Sequence, residues 1–286
     1  MSKLVIVDAS SILFRSFYGV PNMTNKKGDN IGGIYGFINQ ILNLSQLYRP
    51  HYFVVALDMK EKTWRHLESD LYKSTRKPAP EALIPQFAML QEACDAFDIK
   101  YYNGNTCEAD DWIASCVSCY KLSLDQIYIA STDKDLLQLV TDNVCVYDPF
   151  KRKEICINDV LSHWQVLPEQ IVDLLALIGD VSDGIPGAKG VGLQTASKWL
   201  KEYHDLDSIF MNIDKLKPNS RRIGLIESKD IVYQAKNLIT LRFNLEVLPI
   251  EACKFKPSYN KIIDFLNMHD ILLHAKAKRI INGGVL

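Results

Sequence analysis

Short apolar runs alternate with segments of helical periodicity over the first half of the chain. Continuous runs at residues 4–7, 52–57, 99–102, 127–130 and 144–147 predict five strands. Apolar residues recur every three or four positions at 34–47, 84–97, 109–120 and from 136 to 140, which predicts helices there. Ser10 and Ser11 are expected to cap the helix after the first strand. Because strands that alternate with helices form parallel sheets, we predict an α/β fold with a mostly parallel central sheet flanked by helices.

The second half of the chain has a different pattern. From about residue 161 onward the strand signals fade, and the apolar spacing predicts helices at 171–178, 209–213, 231–241 and 262–281. A glycine-containing turn that opens a further helix follows the first of these. We therefore expect an α/β core at residues 1–164 and a helical region at residues 165–286.

The composition is that of a folded protein, with 48% hydrophobic and 23% charged residues in a chain of 286. The net charge of −1 neither requires nor excludes a nucleic acid partner. No window reaches the roughly 18 apolar residues of a membrane span. Seven cysteines, an odd number, are scattered through a chain without a secretory leader, which predicts a reduced, cytosolic protein. Cys116 and Cys119 share one predicted helix, where we expect packed thiols rather than a metal or redox site.

Carboxylates follow the predicted strands at several points. Asp8, Asp58, Asp133 and Asp135 end strands, a cluster follows the third strand after a short loop, and two further acids lie in a glycine-rich loop. The cluster consists of Glu108, Asp110 and Asp111, and the loop carries Asp180 and Asp183. Since ligands of a parallel sheet bind beyond the carboxyl ends of the strands, these acids are expected to converge.

Converging carboxylates need a cation to offset their repulsion. Oxygen ligands without a nearby His or Cys favour Mg²⁺ or Mn²⁺, and sites with two such ions are common in phosphodiester hydrolysis. The alternative is that some of the acids only cap helices, as Asp8, Asp110 and Asp183 each could.

A basic segment at residues 60–80 follows directly from Asp58. Its six cations are Lys60, Lys62, Arg65, Lys73, Arg76 and Lys77. On a helix, Lys73 and Arg76 would share one face and could contact a phosphate, and the adjacent Tyr72 could stack on a base. The alternative is a solvated amphipathic helix.

A glycine turn with Gly187, Gly190 and Gly192 opens a predicted helix that carries Lys198. Backbone amides at such a turn can bind the phosphates of a DNA backbone without sequence preference. The turn lacks the preceding strand of a dinucleotide-binding motif and the Gly-Lys-Ser/Thr of a P-loop. The alternative is an ordinary tight turn between two helices.

These motifs together resemble the 5′-nuclease family, which includes the N-terminal domain of bacterial DNA polymerase I, phage 5′-nucleases and flap endonucleases. The resemblance covers about residues 3–280. The motifs that carry it are Val7-Asp8, Tyr35-Gly36-Phe37, Val55 to Asp58, Arg65-His66, Tyr72-Lys73 with Arg76, Glu108 to Asp111, Thr132 to Asp135, Gly179 to Gly187, and Gly190 to Gly192. Gly184 stands where the polymerase members usually carry Asn, and Ala9 where they usually carry Gly.

The resemblance implies a PIN-like nuclease core, a helical arch at about 60–85 and a helix-three-turn-helix at about 180–203. It implies that the metals are held by Asp8, Asp58, Glu108, Asp110, Asp111, Asp133, Asp135, Asp180 and Asp183. Lys73 and Arg76 would engage the scissile phosphate, with Asp8 and Asp111 also counted as catalytic. DNA would contact Tyr72, Arg65, Lys189, Gly190, Gly192 and Lys198. A K⁺ ion would bind backbone carbonyls at Val191 and Gly192.

The implied function is a structure-specific, divalent-metal-dependent 5′ nuclease with 5′-3′ exonuclease and 5′-flap endonuclease activity. Its substrates would be DNA flaps, nicks or single-stranded 5′ ends in replication and repair. The expected protein is a cytoplasmic monomer without membrane contact that works with a DNA polymerase domain or partner. One alternative is an inactive, structure-specific DNA-binding module. A phosphoaspartate phosphatase is a second alternative, but it needs an Asp at the position of Ser10. Substitution of Asp110 or Asp111, rather than Glu108, is expected to abolish the chemistry.

Overall fold

The computed structural model describes residues 1–20, 23–58, 61–104, 106–275 and 277–278, and its centre is a six-stranded sheet. The strands are β1 (Lys3–Asp8), β2 (Tyr52–Leu57), β3 (Lys100–Asn103), β4 (Gln126–Ala130), β5 (Val144–Asp148) and β6 (Lys153–Ile155). Their order is β3-β2-β1-β4-β5-β6. The first five strands pair in parallel, and β6 pairs antiparallel with β5.

Helices cover both faces of the sheet and make up most of the second half of the described chain. They are α1 (Ala9–Gly19), α2 (Gly32–Tyr48), α3 (Trp64–Glu68), α4 (Ile84–Ala96), α5 (Ala109–Tyr120), α6 (Ile157–Trp164), α7 (Ile171–Ile178), α8 (Leu193–Tyr203), α9 (Leu206–Met211), α10 (Ser220–Glu227), α11 (Lys229–Ile239) and α12 (Tyr259–Met268). Short 3₁₀ turns lie at Glu81–Leu83, Asp135–Leu139, Pro168–Gln170, Ile213–Lys215 and Ile250–Cys253.

Alternate residues of each central strand enter two different cores, because successive side chains of a strand point to opposite faces. In β1, Leu4 and Ile6 belong to the core that includes residues of α5, α7 and α11. Val5 and Val7 belong to the core that includes residues of α1, α2, α4 and α12. Burial on both faces explains why these strands are continuous apolar runs in the sequence.

The carboxyl ends of the parallel strands lie at one edge of the sheet. Asp8 is the last residue of β1 and pairs with Ala56 of β2, so the end of β2 lies beside it. On its other side β1 pairs with β4, and the winding direction of the sheet reverses between them. A reversal of this kind leaves a crevice beyond the strand ends, where α/β proteins bind ligands.

The start of α1 differs from the prediction. The helix begins at Ala9, and its N-cap is Asp8 rather than Ser10 or Ser11. The Oδ1 atom of Asp8 accepts a hydrogen bond of 3.1 Å from the backbone N–H of Ser11. Asp8 therefore caps a helix and also faces the strand-end crevice, so the capping alternative and the site prediction both describe it.

The basic segment also differs from its prediction. Over the described residues 61–80 the only helix is the five-residue α3, and Lys60 lies outside the described residues. Lys73 has a left-handed backbone with φ of 52°, so it does not share a helical face with Arg76. Both the helical-face prediction and the amphipathic-helix alternative are therefore wrong for residues 69–77, which are not helical and form turns at 70–75.

Two smaller predictions are wrong in part, and one strand was not predicted. The predicted helix at 136–140 is the 3₁₀ turn Asp135–Leu139, and the short polar strand β6 was not predicted at all. The predicted helix at 262–281 is interrupted: α12 ends at Met268, residues 275, 277 and 278 are helical again, and residues 276 and 279–281 lie outside the described residues.

The cysteines are not all reduced. Cys145 in β5 and Cys156, the N-cap of α6, form a disulfide across the β5–β6 hairpin. Cys116 is a buried free thiol as expected, whereas Cys119 is exposed, so the packed-thiol prediction is right for the first and wrong for the second. None of the helices in the described ranges is long and apolar enough to cross a membrane.

The turn between α7 and α8 approaches the basic segment closely. Gly184 lies in this turn with φ of 68°, and a Cβ atom there would lie 2.4 Å from the carbonyl oxygen of Leu71. The backbone N–H of Lys73 donates a 2.8 Å hydrogen bond to the carbonyl of Asp183. A larger side chain at position 184 would force this contact apart, which gives a physical reason for glycine here.

Candidate metal centre

A cavity of about 1520 Å³ opens at the carboxyl edge of the sheet. Seven of the nine predicted acids line it: Asp8, Asp58, Glu108, Asp110, Asp133, Asp180 and Asp183. They come from β1, the ends of β2 and β4, the start of α5 and the turn after α7. These seven acids therefore converge as expected, and the ends of parallel strands bring Asp8, Asp58 and Asp133 to this edge.

A first group of acids consists of Asp8, Asp58, Asp110 and Asp133, which lie close enough for their charges to interact. Burial and then the charge of Asp58 raise the pKa of Asp8 to about 7. Burial, followed by the charges of Asp133 and Asp8, holds the pKa of Asp110 well above its ordinary value. Burial likewise raises the pKa of Asp133. Carboxylates enclosed in this way favour a bound cation, since a positive charge is what would keep them ionised.

Hydrogen bonds fix the positions of these side chains. The Oδ2 atom of Asp8 accepts a 2.6 Å hydrogen bond from the hydroxyl of Ser131. The Oδ1 atom of Asp58 accepts a 2.8 Å hydrogen bond from the backbone N–H of Ala109. This second contact attaches the start of α5 to the end of β2 and so places Asp110 near Asp8.

A second group consists of Asp135, Asp180 and Asp183. One carboxylate oxygen of each lies within 4.8 Å of the other two. The Oδ1 atom of Asp135 is buried and has no hydrogen-bond partner among the described residues. The backbone N–H of Asp135 donates to Oδ1 of Asp133 at 2.9 Å, which joins the two groups. A buried carboxylate oxygen without a hydrogen-bond partner has a free electron pair, which would be satisfied by binding a hard metal ion.

The carboxylates suit Mg²⁺ or Mn²⁺, but one expectation from the sequence is wrong. His66 and Cys107 also line the cavity, so the expectation of no nearby His or Cys is wrong. The Nδ1 atom of His66 is engaged by the hydroxyl of Thr63 at 3.0 Å. Within the described residues, the group whose ligand atoms lie close together contains only carboxylates, which are typical ligands of Mg²⁺ and Mn²⁺.

Three cations each contact one acid of the centre. Lys73 Nζ lies 2.9 Å from Glu108 Oε1, Arg76 Nη2 lies 2.5 Å from Asp183 Oδ1, and Lys134 Nζ lies 2.6 Å from Asp180 Oδ2. Burial raises the pKa of Glu108, but Lys73 and Arg65 outweigh it and hold that pKa below its ordinary value. Burial also raises the pKa of Asp180, but the contact with Lys134 outweighs it and lowers that pKa, whereas the pKa of Asp110 is raised.

Glu108 and Tyr72 form part of the contact between α5 and the basic segment. The Tyr72 hydroxyl donates a 2.9 Å hydrogen bond to Oε2 of Glu108, and only 5% of Tyr72 is exposed. Burial and the charge of Glu108 raise the pKa of Tyr72 far above its ordinary value. The prediction that Tyr72 stacks on a DNA base does not describe this buried side chain.

Asp111 and Arg65 lie away from the cavity, which differs from the prediction for both. Asp111 is fully buried, Arg65 is 2% exposed, and neither lines the cavity. The guanidinium and the carboxylate form two parallel hydrogen bonds of 2.8 Å. Asp111 therefore does not face the other metal-ligand candidates, and Arg65 is not accessible to DNA in this conformation.

The glycine turn presents a mostly exposed surface. Lys189, Gly190, Gly192 and Lys198 are exposed, and Val191 is buried. Gly190 has φ of 75° with open space around it. The carbonyl of Gly192 accepts two hydrogen bonds of 3.0 Å, from the N–H groups of Thr195 and Ala196 at the start of α8. The K⁺ site at Val191 and Gly192 stays a prediction.

Two residues of the centre, Ser131 and Lys134, were not predicted from the sequence. Ser131 bonds Asp8, and its hydroxyl also accepts a 3.0 Å hydrogen bond from the N–H of Asp133. Lys134 neutralises Asp180. Both positions were identifiable, because Ser131 directly follows β4 and Lys134 stands between two candidate acids.

Two family models match the chain. One is described as 5′-3′ exonuclease, N-terminal resolvase-like domain, and matches residues 3–165. The other is described as 5′-3′ exonuclease, C-terminal SAM fold, and matches residues 166–261. The fold prediction is confirmed: a mostly parallel sheet flanked by helices forms a PIN-like, resolvase-like part, and a SAM-like helical part follows.

Proteins similar in sequence match most of this chain. A 5′-3′ exonuclease of Aquifex aeolicus is 35% identical over 264 residues, which cover 92% of this chain and 90% of that protein. A DNA polymerase I of Rhizobium leguminosarum is 37% identical over 273 residues, which cover 92% of this chain. The match covers only 27% of that polymerase, so this chain spans about a quarter of its length.

Solved structures share the fold at lower identity. The T5 D15 protein co-crystallised with metal ions has a TM-score of 0.69 at 21% identity, covering 98% of this chain and 97% of that one. The catalytic core of Rad2 in complex with DNA substrate has a TM-score of 0.60 at 18% identity, covering 100% and 93%. The family matches and the resolvase-like and SAM-fold parts lead to one conclusion. This chain belongs to the 5′-3′ exonuclease family of nucleases.

Proposed function

We propose that this protein is a divalent-metal-dependent 5′ nuclease that hydrolyses DNA phosphodiesters at 5′ flaps, nicks and single-stranded 5′ ends. The observation that carries this proposal is the convergence of seven carboxylates on one cavity, with Lys73 and Arg76 in its wall. An inactive DNA-binding module would not need this costly concentration of charge.

The acids are proposed to hold metal in two groups. Asp8, Asp58, Asp110 and Asp133 would form one group, Asp135, Asp180 and Asp183 the other, and Glu108 would border both. Bound Mg²⁺ or Mn²⁺ would supply an activated water and offset negative charge on the phosphate. We do not include Asp111 among the proposed ligands, because its oxygens are engaged by Arg65.

Lys73 and Arg76 are proposed to bind the scissile phosphate. Glu108 holds the ammonium of Lys73 in the wall of the cavity, and the backbone N–H of Lys73 donates a hydrogen bond to the carbonyl of Asp183. The Arg76 side chain is half exposed, so part of its guanidinium is available to a ligand. Two positioned cations would offset the charge that develops on the phosphate in the transition state.

The exposed turn residues Lys189, Gly190, Gly192 and Lys198 are proposed to hold the backbone of duplex DNA, with K⁺ bound at Val191 and Gly192. The polymerase relatives support the proposal that a DNA polymerase domain or partner acts with this nuclease in replication and repair. We propose that the protein acts as a monomer in the cytoplasm on the DNA substrates named above.

Cleavage of a labelled 5′-flap duplex tests the proposed function. With Mg²⁺ we expect products that carry a 5′-phosphate and a 3′-hydroxyl, and with EDTA we expect no cleavage, because the carboxylates alone cannot activate water. Cleavage that persists in EDTA would refute a metal-dependent mechanism. A protein that binds the flap with Mg²⁺ or Mn²⁺ but never cuts it would instead be the inactive module.

Asp110→Asn tests the electrostatic cost of the cavity. Because burial and like charges raise the pKa of Asp110, its ionisation destabilises the folded metal-free protein above pH 4, and increasingly so towards pH 8. Asn removes the charge, so scanning calorimetry in EDTA should give a higher melting temperature than wild type at pH 8. The difference should shrink towards pH 4, where the wild-type carboxyl is protonated in the folded chain.

Saturating Mg²⁺ should reverse that order, because metal binding stabilises the wild type and the variant has lost a ligand. The exposed Asp142 provides the matched control, and Asp142→Asn should leave the melting temperature unchanged at both pH values. An Asp110→Asn protein that is less stable than wild type in EDTA at pH 8 would show that the cavity acids do not repel one another.

Lys73→Ala tests the proposed phosphate contact. We expect the single-turnover cleavage rate to fall by about 10²- to 10³-fold, the usual effect of removing one preorganised charge or donor. The affinity for flap DNA should change little, because other contacts supply most of the binding. Lys77→Ala, in the same segment and exposed, is the control and should cleave normally. Equal rates for both variants would remove Lys73 from the mechanism.

A further inference from the structure

A buried ion pair joins three separate parts of the chain. Arg65 belongs to α3, and Asp111 belongs to α5. The Nη1 and Nη2 atoms of Arg65 donate to Oδ2 and Oδ1 of Asp111, each at 2.8 Å. Both residues are shielded from solvent, since 2% of Arg65 and 0% of Asp111 are exposed. Two parallel bonds of this kind fix orientation as well as distance.

Both partners also bind the backbone at the end of α11. Arg65 Nε donates a 2.7 Å hydrogen bond to the carbonyl of Leu238. The backbone N–H of Arg242 donates a 3.0 Å hydrogen bond to Oδ1 of Asp111. The helical second half of the chain is thereby attached to α3 and α5 at one buried point.

Trp64 closes the same junction. Its indole N–H donates a 3.0 Å hydrogen bond to Oδ2 of Asp111. Its ring lies against two guanidinium groups, with the Cζ atom of Arg65 at 4.5 Å and that of Arg242 at 3.9 Å from the ring centroid. Cations held over an aromatic face in this way stabilise the contact between α3 and the residues after α11.

The hydrogen bonds leave neither charged group free for metal or DNA. The two oxygens of Asp111 accept four hydrogen bonds, which matches their roughly four lone-pair positions. Arg65 uses its Nε, Nη1 and Nη2 atoms in bonds to Leu238, Asp111 and Glu108. Asp111 therefore has no oxygen to offer a metal ion, although it is adjacent in sequence to Asp110.

The pair reaches the cavity through Glu108. Arg65 Nη1 lies 3.3 Å from Oε2 of Glu108, and the other oxygen of Glu108 contacts Lys73 Nζ at 2.9 Å. A continuous path of contacts thus runs from the end of α11 through Arg65 and Glu108 to Lys73. Displacing Arg65 would shift the ammonium that faces the cavity.

We propose that Arg65 and Asp111 act as a positioning pair, which fixes the segment carrying Lys73 relative to the acids of the cavity and to the helical second half. The proposal rests on the proposed nuclease function, because it assigns the pair to the alignment of Lys73 with DNA held by the turn after α7. Neither residue contacts substrate or metal. A misplacement of about 1 Å far from the chemistry can reduce a rate by roughly 10²-fold, so such a pair can control the reaction without touching it.

Three measurements on Asp111→Asn distinguish a positioning residue from a metal ligand. Electron paramagnetic resonance of free Mn²⁺ measures metal binding by the protein without DNA. We expect Asp111→Asn to bind Mn²⁺ as wild type does, and Asp110→Asn to bind it more weakly. If Asp111→Asn weakens Mn²⁺ binding as much as Asp110→Asn does, Asp111 is a ligand and the proposal is wrong.

Hydrogen–deuterium exchange tests whether the Arg65–Asp111 pair links α3 to the residues after α11. Asp111→Asn should accelerate amide exchange both at residues 64–73 and at residues 238–245, whereas Glu108→Gln should affect the first segment alone. Unchanged exchange at 238–245 would contradict the junction. This measurement needs no cleavage, so it tests the pair even if the wild-type protein fails to cut flap DNA.

Single-turnover cleavage at saturating Mg²⁺ and flap DNA measures how the pair affects the rate of the reaction. Asp111→Asn should lower the rate by about 10²-fold, while the dissociation constant for the flap duplex changes by less than about threefold. Glu251→Gln, which alters an exposed ion pair with Lys254, is the matched control and should cleave at the wild-type rate.

A double variant covers the case in which the single variant fails to fold. Arg65→Met with Asp111→Leu removes both charges of the pair together, and Glu108 keeps its contact with Lys73, so no buried charge is left unpaired. We expect it to fold with a lower melting temperature, because the N–H groups of Trp64 and Arg242 and the carbonyl of Leu238 lose their partners, and to cleave about 10²-fold more slowly. A stable double variant that cleaves at the wild-type rate would show that the pair only supports folding.

Discussion

The repulsion between enclosed carboxylates is the constraint around which this structure is arranged. Burial is the main cause of the raised pKa values of Asp8, Asp110 and Asp133, and the nearby charges of Asp58, Asp133 and Asp183, respectively, raise them further. Burial raises the pKa values of Glu108 and Asp180 too, but the contacts with Lys73 and Lys134 outweigh it. The carboxyl edge of the sheet therefore combines acids that a protein cation offsets with acids, Asp135 among them, whose charge a bound metal would offset.

The stretch from Glu108 to Asp111 shows how helix geometry separates adjacent charges. Glu108 is the N-cap of α5 and faces the segment that carries Tyr72 and Lys73. Asp110 faces the cavity. Asp111, about 100° further around the helix, points into the interior to meet Arg65. Three neighbouring acids in the sequence therefore serve three different environments.

Much of the fold was predictable because buried parallel strands leave a strong mark in the sequence. All five predicted strands are present, and each of the four acids placed at strand ends belongs to the carboxylate groups described above. The strand β6 was missed because Lys153 and Glu154 are polar and exposed, so only its pairing with β5 defines it. The disulfide was missed because Cys145 and Cys156 are brought together by that same hairpin.

The errors in the site have a common physical origin. A motif identifies which residues are concentrated in one region, but the direction of each side chain depends on contacts that are distant in sequence. Asp111 meets Arg65 across 46 positions and the N–H of Arg242 across 131. Tyr72 is buried because its hydroxyl reaches Glu108, 36 residues away. No local pattern in the sequence contains these pairings. The sequence alone therefore does not distinguish a residue that binds metal or DNA from one that holds another side chain in place.

The positions of Mn²⁺ ions in crystals of this protein, located by anomalous diffraction, test the central claim most directly. The account predicts ions among the carboxylates of Asp8, Asp110 and Asp133 and at the group of Asp135, Asp180 and Asp183, with Asp111 still bound to Arg65. A cavity that takes up no Mn²⁺ at millimolar concentration, or an ion coordinated by Asp111, would contradict it.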